Sequence, residues 1–260
     1  MARFCPLFSG SSGNCTYIAT AAGGLLVDAG VSAKRIETAL REREVDPRTL
    51  RAILVTHEHT DHTAGVRVLA KRYGLPVYAS EGTLLGMEGT IDTTTEIHRM
   101  PDELAVADMG VRAFALSHDA HQPTGYEITL PDGRRLAVLT DTGIITDEHR
   151  RILKQCDVVL IESNHDTAML RTGPYPYPLK ERILGEHGHL SNTDCAALLP
   201  YLVEAGVTRL VLGHLSRENN TPAIARREAI SRLAGSGMAE HLDYTLAVAE
   251  PVCSGCLTIV

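Results

Sequence analysis

Six consecutive residues in the first quarter of the chain, His57-Glu58-His59-Thr60-Asp61-His62, hold a dense set of metal-binding groups. Imidazoles at i and i+2, followed by a carboxylate and a third imidazole, place four donors on one tight turn. That is enough to serve two metal ions. The plain alternative is a polar loop that happens to be rich in His. Two divalent ions lower the pKa of a bridging water, so that a hydroxide nucleophile exists near neutral pH. They also clamp the oxygens that gain charge in an in-line displacement. The chemistry implied is hydrolysis, and on this ground alone phosphodiesters, thioesters and lactones fit equally.

Such a turn needs a rigid support, because ligand geometry is held best where a strand or helix ends. Ala52-Ile53-Leu54-Val55 runs directly into the cluster and reads as a buried strand. Upstream, Cys15–Ala19 and Leu25–Asp28 flank Ala21-Ala22-Gly23-Gly24, a hairpin signal. Residues 33–44 carry helical spacing through Ile36 and Leu40, and a helix with Val66, Val68 and Leu69 is expected after the cluster. Further apolar runs lie at 75–79, 111–116, 136–139, 158–161 and 209–212, with helical stretches at 146–155, 193–205 and 222–233. Strands interleaved with helices predict a layered α/β sandwich. No linker, charge run, low-complexity block or repeat marks a boundary, so residues 1–260 are expected to form a single domain. Gly173-Pro174-Tyr175-Pro176-Tyr177-Pro178 reads as a stiff surface loop or as a wall of a substrate groove.

Composition narrows the classes. With 44% hydrophobic residues, no Trp and three Phe, the core must be mostly aliphatic. A formal charge of −7 argues against a broad basic surface for nucleic acid, and leaves an anionic substrate to be handled by metal ions and a few local cations. The start of the chain lacks the apolar run of a signal peptide, and no stretch approaches a transmembrane helix. Six Cys without a disulfide pattern suggest a reducing compartment, so a cytoplasmic location is expected. Cys253-x-x-Cys256 is half a zinc site or a pair of ordinary thiols.

His57-x-His59-x-Asp61-His62 resembles the signature of hydrolases of the metallo-β-lactamase fold, whose architecture is a four-layer αββα sandwich. Companions of that signature occur in the expected order over residues 9–220. Asp28 resembles the carboxylate that ends an early strand and supports the His turn by orienting its rings rather than by binding metal itself. His118 resembles the third ligand of the first metal, Asp141 the carboxylate bridging both, and His214 the last ligand of the second. The resemblance therefore implies one ion on His57, His59 and His118, and another on Asp61, His62 and His214, with Asp141 shared. Zn, Mn or Fe suits such a donor set.

Two more stretches resemble the phosphodiesterase branch of that family, typified by tRNase Z-like nucleases: Leu160-Ile161-Glu162-Ser163-Asn164-His165-Asp166 and Gly188-His189-Leu190-Ser191-Asn192. There a His held by a carboxylate protonates the leaving oxygen, which a phosphodiester needs because its leaving alkoxide is a strong base. The resemblance makes His189 the acid and Glu162 its orienter, against the plain reading of Glu162 as a salt-bridged carboxylate at a strand end. His165 is a second proton carrier or a substrate contact. With Ser9-Gly10-Ser11-Ser12-Gly13-Asn14-Cys15 and His214-Leu215-Ser216-Arg217-Glu218-Asn219-Asn220, the wording is similar to the bacterial YycJ/WalJ group. That group is associated with 5′-to-3′ exonuclease activity on DNA and with mismatch repair, and some members are encoded beside two-component signalling genes. The Ser/Gly opening offers backbone N–H groups to a phosphate, or is a tight turn. Lys180, Arg182 and Arg217 are candidate phosphate contacts.

The expected protein is thus a dinuclear-metal phosphodiesterase acting on nucleic acid, most simply a DNA exonuclease with a possible repair-protein partner. The chain is too short for the extra domain of larger processing nucleases and lacks the long arm with which tRNase Z grips tRNA. Two alternatives stand beside this reading. One is a small-molecule hydrolase cleaving a thioester, lactone or cyclic phosphodiester; the strand-like tail, Tyr244–Val248 and Cys253–Val260, disfavours its glyoxalase-like form. The other is a non-catalytic regulator linked to two-component signalling, which has no need of seven ligands.

Overall fold

The computed structural model describes residues 2–91, 94–252 and 257–259. Cys253 and Cys256, and with them the zinc or thiol question, lie outside the described residues. Two compact units share the chain: Met1–Ala115, Ala120–Gly133 and Glu250–Val260 form the first, Leu116–Asp119 and Arg134–Ala249 the second. Both are interleaved in sequence, and neither is a contiguous segment.

The first unit begins as a meander. Strands β1 (Ala2–Phe8), β2 (Cys15–Thr20) and β3 (Gly23–Val27) pair antiparallel, with Thr16 opposite Val27 and Thr20 opposite Gly23. The hairpin expected from Ala21-Ala22 is therefore present. From β3 onward pairing turns parallel, through β4 (Leu50–Leu54), β5 (Val77–Ala79) and β6 (Ile97–Arg99). Parallel neighbours need crossovers, and α1 (Ala33–Arg41), α2 (Thr60–Thr63), α3 (Val66–Tyr73) and α4 (Glu81–Gly86) lie in them. Helix α1 forms because Ile36, Ala39 and Leu40 recur at helical spacing and are all buried. They pack into a cluster with Leu26, Ile53, Leu69 and Val77, the aliphatic core expected from composition. The residues Leu257–Ile259 add a strand beside β1, while β7 (Leu104–Val106), β8 (Met109–Ala115) and β9 (Thr124–Thr129) form an antiparallel set.

The second unit is parallel throughout. Strands β10 (Arg135–Leu139), β11 (Val158–Glu162), β12 (Arg209–Gly213) and β13 (Thr245–Val248) pair in that order. Their crossovers hold α5 (Asp147–Leu153), α6 (Thr167–Thr172), α7 (Tyr177–Leu184), α8 (Asn192–Glu204) and α9 (Pro222–Gly235). Every residue of β11 is buried, as befits a strand covered on both faces. Gly173, Pro174, Tyr175 and Pro176 form the expected loop, and only Tyr177 and Pro178 pass into a helix. Pro176 caps α7 and Pro178 sits in its first turn, where a missing N–H costs nothing.

Among the described residues Cys15, Cys156 and Cys195 are free, buried thiols, whereas Cys5 is disulfide-bonded, which the cysteine spacing did not lead us to expect. No helix of the described residues is long and apolar enough to cross a membrane.

Candidate functional site

Each unit carries one cluster of titratable side chains, and in both the clusters grow from strand ends. In the first unit β4 ends at Leu54, and after Val55 and Thr56 the chain enters the His57–His62 run. His57 is 1% and His62 0% exposed, and the His57 ring lies 4.5 Å from that of His59 and 4.1 Å from that of His62. Asp28 follows β3 in a left-handed conformation (φ 62°) that aims its carboxylate back under the turn. Its Oδ1 accepts from the Thr56 N–H at 2.8 Å, and its Oδ2 from the Thr56 hydroxyl at 2.9 Å and from His62 Nδ1 at 2.8 Å. The Thr56 hydroxyl oxygen lies 3.1 Å from His57 Nδ1 and accepts from it. One carboxylate thus orients two imidazoles, one directly and one through a hydroxyl.

The N-terminal Ser/Gly loop is fastened to the same turn. The Asn14 N–H donates to the Asp61 carbonyl at 2.8 Å, and the Gly30 N–H to the Asn14 carbonyl at 2.7 Å. Gly30 is required here, since a Cβ would lie 1.6 Å from the Asp61 carbonyl oxygen. Asn14 Nδ2 also donates to His62 Nε2 at 3.0 Å, a lone pair that a metal on His62 would take over. On the outer side of the turn Glu58 accepts from the His121 backbone N–H and ring Nδ1, at 2.9 and 2.6 Å.

The second unit assembles its cluster from residues distant in sequence. His118 belongs to the short segment after β8, Asp141 follows β10, Glu162 ends β11, His189 precedes α8 and His214 follows β12. Asp141 (φ 65°) and His214 (φ 53°) again hold left-handed backbones at strand ends. Glu162 is fully buried, yet every lone-pair direction it uses is answered. Oε1 accepts from His189 Nδ1 and from His214 Nδ1, both at 2.8 Å, while Oε2 accepts from the Thr142 and Leu190 N–H groups at 2.9 and 3.2 Å. Burial pushes the Glu162 pKa up, but the His189 charge and the two imidazole bonds overcome it and hold the carboxyl well below its usual range. Burial likewise opposes protonation of His189, and the charge and hydrogen bond of Glu162 outweigh it, so its pKa is raised. For His118 burial dominates over Asp141 and favours the neutral ring.

The donor chemistry fits divalent metals. His118 Nδ1 donates to the Gly188 carbonyl at 3.0 Å, so its proton sits there, as it does in His57, His62 and His214 through Thr56, Asp28 and Glu162. In all four rings Nε2 keeps the lone pair, the tautomer that an oxygen partner on the other nitrogen imposes on ligating His. Within the second unit, Asp141, Glu162, His189 and His214 each bring a donor atom within 4.8 Å of the others. His118 Nε2 lies 3.9 Å from Asp141 Oδ1 and 3.2 Å from Asp119 Oδ1.

Three of the expected contacts have the following surroundings. His165 is 1% exposed, its ring nitrogens make no hydrogen bond to a described residue, and burial pulls its pKa down to about 4. The ring is therefore neutral at pH 7, with one N–H and one lone pair. Lys180 donates to the Arg171 and Gly173 carbonyls at 2.8 and 2.7 Å, closing the end of α6, and Arg182 is paired with Asp119. Arg217 stays exposed.

Sequence reasoning missed the asparagines beneath the cluster. Asn220 Nδ2 donates to the Ser163 and Asn164 carbonyls and to Asn192 Oδ1, at 2.8, 2.9 and 2.9 Å. Ser163 Oγ donates to Asn192 Oδ1 at 2.6 Å, and Asn164 Nδ2 to the His214 carbonyl at 3.0 Å. Buried amides so fully paired lock the Glu162, His189 and His214 loops to one another. The recurrence of Ser163-Asn164, Ser191-Asn192 and Asn219-Asn220 was the available signal.

Comparison with known proteins places these clusters in context. The beta-lactamase superfamily domain matches residues 24–215. The exodeoxyribonuclease WalJ of Streptococcus pneumoniae serotype 2 is 39% identical over 255 residues, covering 96% of this chain and 94% of that protein. The exodeoxyribonuclease YycJ of Bacillus anthracis is 40% identical over 239 residues, covering 90% of each. Among solved structures, the metallo-β-lactamase fold protein YhfI of Bacillus subtilis superposes with a TM-score of 0.70 at 16% identity, over 97% of this chain and 98% of that one. The α/β architecture expected from sequence is thus this fold.

Proposed function

Because the chain belongs to the beta-lactamase superfamily, we propose that it is a metal-dependent phosphodiesterase, a DNA exonuclease working from the 5′ end in mismatch repair. Likeness to two exodeoxyribonucleases over nearly the whole chain supports the nuclease reading. One observation carries the phosphodiester chemistry: a single buried carboxylate oxygen, Glu162 Oε1, shared between His189 and His214. A hydrolase whose leaving group departs easily has no need to hold an extra imidazole this firmly.

By the family pattern, His57, His59 and His118 would hold one ion, Asp61, His62 and His214 a second, and Asp141 both. Zinc and manganese suit the donors. Such ions acidify water and withdraw charge from a phosphoryl oxygen. The chain's own residues do the rest. Asp28, Thr56 and the Gly188 carbonyl fix the tautomers of the ligating rings. Glu162 anchors Nδ1 of His189, so the opposite edge, Nε2, is the one that can hand a proton to the leaving oxygen. The His189 side chain is 21% exposed, enough to reach a substrate, whereas Glu162 is sealed from it. Residues 1–260 are read as one cytoplasmic domain, since the family match takes in segments of both units.

The test is cleavage of end-labelled single- and double-stranded DNA by the protein loaded with Zn or Mn, beside His189→Ala. The variant should keep its metal and slow cleavage by about 10²- to 10⁴-fold. It should recover much of the loss on a diester with a nitrophenolate leaving group, which needs no proton. DNA left intact with either metal would overturn the nuclease reading; equal losses on both diesters would overturn the general acid.

A further inference from the structure

A cavity of about 530 Å³ in the first unit is left without a role by this chemistry. Ser11, Ser12, Ser32, Arg35, Thr60 and Asp61 line it. Its donors are uncommitted. Among the described residues, the hydroxyls of Ser11, Ser12 and Ser32 and the guanidinium of Arg35 have no hydrogen-bond or ion-pair partner. An unpaired cation facing a carboxylate-bearing cavity, in a chain of net charge −7, calls for an anion from outside.

The cavity is built rather than incidental. Ser11 and Ser12 sit at the tip of a loop whose base is closed by Asn14, which accepts from the Gly10 N–H at 2.9 Å and donates to the Gly10 carbonyl at 3.1 Å. Through Asn14 and Gly30 that loop is bonded to the Asp61 backbone, so the hydroxyls keep a fixed relation to the His/Asp turn. The Arg35 guanidinium lies over the Phe8 ring at 4.8 Å. This contact holds the planar fork in place without using any of its five N–H donors. Ser32 stands at the N-cap of α1 without capping it, which leaves its hydroxyl available. A guanidinium fork and three hydroxyls around one cavity match a tetrahedral oxyanion better than a planar carboxylate.

We propose that this cavity is a subsite for a second phosphate group of the substrate strand, neighbouring the diester that is cut. Arg35 binds it through two N–H groups, and Ser11, Ser12 and Ser32 complete its shell. The inference rests on the phosphodiesterase reading above, because Asp61, on the cavity wall, belongs to the proposed metal centre. The phosphate is a backbone diester or the 5′-terminal monoester, and the substrate chosen tells them apart.

Arg35→Gln and the double variant Ser11→Ala/Ser12→Ala are compared with the unaltered protein on 5′-phosphorylated and 5′-hydroxyl single-stranded oligonucleotides. KM and kcat are read in the metal-loaded protein, and binding by fluorescence anisotropy after chelation, when nothing is cut. Arg35→Gln should raise KM about 10-fold, leave kcat within about 2-fold, weaken the metal-free binding alike and lower its salt slope by about one charge. The serine pair should raise KM about 3-fold. Loss confined to the 5′-phosphorylated strand identifies the terminal monoester; equal loss on both identifies the backbone phosphate. Unchanged KM and anisotropy in both variants overturn the subsite. Should the unaltered protein cut no DNA, the nuclease reading falls, and the anisotropy series still decides whether these residues hold a phosphate.

Discussion

The two clusters solve the same problem in opposite ways. In the first unit the donors are neighbours in sequence, and one carboxylate, Asp28, steadies them from outside the run. In the second, His118, Asp141, Glu162, His189 and His214 come from five separate segments, and a buried carboxylate stands in their midst. A contiguous turn keeps its ligands close whatever the rest of the chain does. A dispersed cluster exists only when β8, the three parallel strands β10 to β12 and their loops are all in place. The second cluster should therefore be the more sensitive of the two to loss of its orienting carboxylate.

Substituting that carboxylate is the strongest way to break the comparison. Glu162→Gln keeps the volume but loses the charge that balances two imidazoles, and DNA cleavage should fall about 10³-fold. A loss no larger than that of Asp28→Asn would show the clusters to be equivalent.

Burial of His165, in the field of Glu162 and His189, should also appear as acid sensitivity of the fold. His165 has its pKa depressed to about 4, below the ordinary value of about 6.5 that it regains on unfolding. As pH falls through that window the unfolded chain takes up the proton first, so stability is full above pH 6.5 and declines toward pH 4. The loss is at most roughly 3 kcal/mol. Denaturant midpoints of the metal-free protein measured across pH 4–7 should show it, and His165→Gln should flatten that part of the curve. An unaltered slope would place His165 in contact with solvent.

The first cluster should respond more mildly. Asp28→Asn retains hydrogen bonds to Thr56 but no longer favours the Nδ1 proton of His62. Metal affinity, read by competition with a chromophoric chelator, should drop about 10- to 100-fold. An unchanged affinity would mean that the contiguous run needs no support at all.

The same contrast explains what was legible beforehand. The His57–His62 run, the hairpin at 15–27 and the buried strands β4, β10, β11 and β12 could be read because short-range periodicity and local spacing encode them. Helix α7 could not, since a proline-rich segment reads as loop until its tertiary setting places Pro178 in a first turn. Lys180 and Arg182 looked like phosphate contacts because charge in a sequence carries no partner. In the fold, carbonyls at the end of α6 take two of the Lys180 donors and the Asp119 carboxylate takes one from Arg182. Arg35 went unremarked for the converse reason: nothing local shows that a cation lacks a counter-ion.

The six-residue run thus marked by itself where this protein could hold metal, because four donors on one turn need no fold to bring them together. Its Ser-Asn pairs, Glu162 and His189 carried the resemblance to nucleases but not their mutual geometry. Only the tertiary structure decided that one oxygen of Glu162 serves both His189 and His214, that His165 is sealed off, and that Arg35 faces an open cavity. Each of these depends on burial and on contacts between residues tens of positions apart, which a linear pattern does not contain.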